Sequence, residues 1–111
     1  MMKPLNEQSA LEVRLEKAVR RLLDLALDQD SRQAKIAADV LLSAAGMHET
    51  PGQRWRVDLG DLSILSDAQA FAALGVIHAR ASLKICPSTT IARGPALLQA
   101  LRNRWLNVED W

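Results

Sequence analysis

The spacing of apolar and polar residues changes several times along this chain, and each change marks an element. From Ser66 to Lys84 the sequence reads SDAQAFAALGVIHARASLK, and between Ala68 and Ala81 only Gln69, His78 and Arg80 are strongly polar. A helix here is apolar on nearly every side, so it is expected to be buried, with the other elements packed around it. Ser66 and Gln69 stand at capping-box spacing at its start, and Asp67 places a negative charge at the positive end of the helix dipole. Ser9-Ala10-Leu11-Glu12 has the same form near the beginning of the chain. Leu11, Leu15, Ala18, Val19, Leu22 and Ala26 follow it at helical spacing, opposite Glu12, Glu16, Lys17, Arg20, Arg21 and Asp24. The pattern predicts a first helix over 9–27, with Glu16 four residues before Arg20 as a favourable surface pair.

Asp28-Gln29-Asp30 is a polar turn, after which Asp30 or Ser31 can cap a second helix over 32–45. Ile36, Ala37, Val40, Leu41 and Ala44 form its inward stripe, Arg32, Lys35 and Asp39 its outward side, and Gly46 suits a left-handed stop. So short a connection predicts an antiparallel hairpin. Between Met47 and Arg54 the pattern disappears, and Pro51-Gly52 marks a turn. Trp55, Val57 and Leu59 then alternate with Arg56 and Asp58, which reads as an extended segment with one face inward. Leu59, Leu62 and Leu65 recur at threes, the spacing of a short helical turn. Proline and hydroxyl residues interrupt the chain from Ile85 to Thr90. A last helix over 95–106 begins at Pro95, just after Gly94, and turns Leu97, Leu98, Leu101 and Trp105 inward. The expected architecture is an all-α single domain (9–107) of four helices, with a short extended arm between the second and third. Residues 1–8 are expected to be a flexible N-terminus and 108–111 a flexible tail.

Composition supports this reading. The apolar content is dominated by 17 Ala and 18 Leu, with one Phe and no Tyr, which favours helices over sheets. At 111 residues there is room for one core but not two. No apolar run reaches transmembrane length, and Lys3-Pro4 leads into polar Asn6-Glu7-Gln8 rather than a signal sequence, so a cytoplasmic protein is expected.

Candidate chemistry is sparse. A lone Cys86 excludes an internal disulfide and any two-cysteine metal motif. His48, in a loop, and His78, on the polar edge of the third helix, have no second ligand at a recognisable spacing. Asp58 and Asp61 lack the further oxygen ligands a cation needs, and solvation, or capping by Asp61, is the expected role. Neither a glycine-rich phosphate loop nor a serine nucleophile elbow is present. The chain is therefore expected to be no enzyme, with no catalytic residue, no metal, no cofactor and no small-molecule substrate.

Charge is unevenly placed. Residues 1–61 hold nine Lys/Arg and ten Asp/Glu, a net of −1, whereas residues 62–108 hold five Lys/Arg against Asp67 alone, a net of +4. Arg80, Lys84, Arg93, Arg102 and Arg104 are thus a candidate anion or nucleic-acid patch. Trp55, Val57 and Leu59 are a candidate self-association segment, because an extended stretch without a partner strand invites pairing with a second copy.

The succession Leu22-Leu23-Asp24-Leu25-Ala26, Ala37-Ala38-Asp39-Val40-Leu41-Leu42, Val57-Asp58-Leu59-Gly60-Asp61-Leu62 and Ala100-Leu101-Arg102-Asn103-Arg104-Trp105 resembles a family of uncharacterised small bacterial proteins. That family is carried largely on plasmids and integrative conjugative elements. The resemblance implies an accessory gene on mobile DNA and brings no mechanism. The expected function is non-enzymatic: an accessory or regulatory interaction protein that binds a protein partner or forms a homodimer. Two alternatives stand beside it, a DNA-binding regulator using the basic C-terminal half and a small inhibitor of a host defence complex.

Overall fold

The computed structural model describes residues 3–106, with side chains from Ala10 onward. Four helices dominate: α1 Lys3–Asp28, α2 Arg32–Ala44, α3 Asp67–Ser82 and α4 Gly94–Trp105. A two-stranded hairpin, β1 His48–Thr50 and β2 Gln53–Arg54, follows α2, and short 3-10 turns at Leu59–Ile64 and Pro87–Thr89 precede α3 and α4. The all-α architecture expected from the sequence is the one observed. The expected tail at 108–111 lies outside the described residues.

The signals at the helix ends are mostly realised. Ser31 caps α2, its hydroxyl accepting from the Ala34 N–H at 3.1 Å. The same helix closes in a Schellman motif, with Gly46 at φ +71° and the Gly46 and Met47 N–H groups bonded to the Ser43 and Leu42 carbonyls. Ser66 and Gln69 make both bonds of the capping box at the start of α3. One boundary is corrected: α1 begins at Lys3, so Ser9 lies inside the helix rather than at its start. Local capping spacing there is overridden by the continuing helical turn upstream.

The core is centred on α2 rather than α3. From Ile36 to Leu42 every residue of α2 is buried, because the helix packs against α1, α3, α4 and the turn at 59–64. Leu15, Val19, Leu22 and Ala26 meet it from α1, and Leu98, Leu101 and Trp105 contribute from α4. α3 buries only one face, through Ala72, Ala73, Val76 and Ala79, while Phe71 is 81% exposed and Leu74 55%. The expectation of an all-round buried α3 is therefore corrected. Of its outer positions, Ala68, Gly75 and Ala81 expose little apolar area and Asp67, His78 and Arg80 are polar, so within α3 only Phe71 and Leu74 hold large apolar side chains in solvent.

Leu59 is likewise corrected from inward to exposed, because the extended stretch ends at Asp58 and Leu59 opens a 3-10 turn. Asp58 caps that turn, accepting from the Gly60 N–H at 2.9 Å. Its partner in sequence, Asp61, sits 3.8 Å from Arg32 instead of capping. Gly94 is required by crowding, since a Cβ there would stand 1.9 Å from the Ser88 carbonyl oxygen.

Candidate functional site

α1 and α3 pack over part of their length and leave an open groove of 990 Å³ between them. Its lining includes the small residues Ala18, Ala72, Gly75 and Ala79 beside the buried Leu15. Leu11 rises from α1, and Phe71, Leu74 and Leu83 stand on the α3 side. Along the α1 rim run Arg14, Lys17, Arg20 and Arg21, with Asp24 as the acidic member. Arg20 is engaged by Glu16 at 3.0 Å, whereas among the described residues no carboxylate lies within ion-pair distance of Arg14, Lys17 or Arg21. His78 also lines the groove and is exposed, on the polar edge of α3.

The five residues of the candidate anion patch do not form one surface of free cations. Arg102 donates to the His48 carbonyl at 2.7 Å and the Glu49 carbonyl at 3.4 Å, holding the hairpin. Arg104 donates to the Ala26 and Gln29 carbonyls and to Asp30, and lies over the Trp105 ring. Both guanidinium groups are thus structural clamps on neighbouring backbone. Arg80, Lys84 and Arg93 are exposed, with Lys84 and Arg93 in left-handed conformations at the end of α3 and the start of α4. α3 and α4 share no extensive interface that would bring these three together.

The candidate self-association segment is also divided. Trp55 is a core residue, its N–H bonded to the Met47 carbonyl at 2.7 Å, so its backbone donor has a partner within the chain. Val57 is half-buried against the core and Leu59 points to solvent. The indole N–H of Trp55 donates to Asp39 at 2.8 Å, and the same carboxylate oxygen accepts from Lys35 at 2.6 Å. Asp39, placed by the sequence on the outward side of α2, is buried, because Trp55 covers it. Burial pushes its carboxyl above the ordinary value, against the opposing pull of Lys35 and the indole bond.

His48 is exposed in the hairpin, and Cys86 is half-buried with its sulfur 3.1 Å from the Ser88 hydroxyl. Among the described residues no three His, Cys, Asp or Glu side chains cluster closely enough to hold a metal ion. No described helix is long and apolar enough to cross a membrane. The sequence did not single out the groove, although Phe71 and Leu74 in an alanine-rich helix were its visible signal.

Fold and site together define a small helical domain whose accessible features are an apolar groove and a row of cations beside it. The chain belongs to DUF7673, a family of unknown function whose model matches residues 16–106. No curated protein and no solved structure matches it.

Proposed function

We propose that this domain is a non-enzymatic interaction protein that binds a protein partner, in an accessory or regulatory role on a bacterial mobile element. The observation that carries the binding reading is the exposure of Phe71 and Leu74 beside an apolar groove. Covering a phenylalanine or leucine side chain is worth about 1.5–3 kcal/mol, so these residues offer a partner a substantial part of a binding free energy. The mobile-element setting is supported by the resemblance in the four segments between Leu22 and Trp105.

The DNA-binding alternative loses support from Arg102 and Arg104, whose donors are committed to carbonyls of the chain itself. The test is affinity capture with the full chain from the bacterium that encodes it, with nuclease treatment, beside a DNA-retardation assay. The proposal expects a stoichiometric protein that survives the nuclease. Recovery of no protein, together with a sequence-specific DNA shift, would replace it with the regulator.

A further inference from the structure

The groove has a shape and a charge pattern that specify its occupant more narrowly than "a protein partner". On α1 its lining runs from Leu11 to Asp24, and on the other side from Ala68 in α3 to Leu83 just past its end. At a rise of about 1.5 Å per residue each wall is roughly 20 Å long, the length of about three and a half turns of helix. Phe71 and Leu74 on one wall, with Leu11 on the other, leave the groove open to solvent rather than enclosed.

The cations are distributed along this length. Arg14, Lys17 and Arg21 are spaced three and four residues apart, so they follow one face of α1 at intervals of roughly 5 Å. A single anionic headgroup on an acyl chain needs its cations gathered at one end. Carboxylates repeating every three or four residues on a partner helix match a row. A second copy of the same surface is disfavoured by charge, because with Arg20 paired to Glu16 the remaining three cations and Asp24 give the rim a net of +2 that would face another +2.

We infer that the α1/α3 groove is a docking site for an acidic amphipathic helix of another protein, with apolar anchors at i, i+3 or i+4, and i+7 seated against Phe71 and Leu74, and glutamate or aspartate facing Arg14, Lys17 and Arg21. This rests on the partner-binding reading above and narrows it.

The test is selection from a displayed library of amphipathic helices of about 16 residues, matched to the groove length, whose polar positions are randomised among Glu, Gln and Lys. Selected peptides are then measured by fluorescence anisotropy against the full chain. Acidic sequences should be enriched. Their affinity should fall about tenfold for Lys17→Glu with Arg21→Glu, and similarly for Phe71→Ala with Leu74→Ala, and should weaken as salt rises. All four positions are exposed, and a circular-dichroism melt of each variant verifies that it remains folded. Enrichment of neutral or basic peptides, failure to select any peptide, or equal binding by the variants overturns the inference. So does a wild-type dimer that Phe71→Glu dissociates, which would make the occupant a second copy. A host protein captured equally well by both variants also overturns the groove assignment, while leaving the broader partner-binding reading intact.

Discussion

Replacing Asp39 with alanine removes the acceptor of the Trp55 indole from a largely buried site. Trp55 is 4% exposed and Asp39 7%, and one carboxylate oxygen serves both the indole and the Lys35 ammonium. A buried donor left without a partner costs about 1–3 kcal/mol. Lys35 keeps partial access to solvent and can turn toward it, so its lost ion pair adds little. Removing a carboxylate that burial disfavours gives some of the loss back, and the net destabilisation expected for Asp39→Ala is about 1–2 kcal/mol. Asp39→Asn keeps an acceptor oxygen for the indole and dispenses with the charge. It should match or exceed wild-type stability at neutral pH. The pH dependence carries a definite sign. Because the folded-state value lies above the ordinary 3.8, the native state binds more protons than the unfolded chain between those two values. This contribution to stability is complete below 3.8 and is lost as pH rises through the raised value. Urea unfolding of the three proteins across mildly acidic to neutral pH would measure all of this. Asparagine losing as much as alanine, or a wild-type curve that gains on the asparagine variant as pH rises through this window, would refute the reasoning.

Three further perturbations test the fold. Val76→Asp should unfold the domain, since an unpaired charge at a position 1% exposed costs several kcal/mol out of a typical ~5–15; Phe71→Asp on the same helix should leave the melting curve nearly unchanged. Gly94→Ala should lower stability by about 1–3 kcal/mol in urea unfolding, because the Ser88 backbone must move to admit a methyl group. Arg104→Ala should cost about 2–3 kcal/mol by removing charged bonds to the α1–α2 connection, whereas exposed Arg80→Ala should stay within about 0.5, as thermal denaturation would show.

Much of the fold was legible in the sequence because helix ends carry local chemistry. Ser31, Gly46, Ser66, Gln69 and the Gly94-Pro95 pair each act on neighbouring backbone, and each occupies the place its type predicts. What was misread depends on contacts distant in sequence. The residues of β1 and β2 are all exposed, so the hairpin has no buried alternation to reveal it, and Arg102 from α4 helps to hold it. Asp39 looked like an outward residue until Trp55, sixteen positions later, covered it. Arg102 and Arg104 read as free charge because the carbonyls they bind carry no signature in sequence. The groove was hidden for a related reason. Apolarity alone does not distinguish a helix covered on all sides from one that leaves apolar side chains in solvent, and α3, with Phe71 and Leu74 exposed, is the second kind.

The indole N–H of Trp105 donates to the Ala26 carbonyl across 79 positions, and Arg104 grips the same carbonyl and the residues just beyond it. During synthesis the α1–α2 hairpin can form from local contacts as soon as it leaves the ribosome, but the clasp that closes the helix end waits until α4 has emerged. The partly made chain therefore passes through a stage in which the apolar side of α2 destined for Leu98, Leu101 and Trp105 is uncovered. It is the segment from Gly94 to Trp105 that covers this surface.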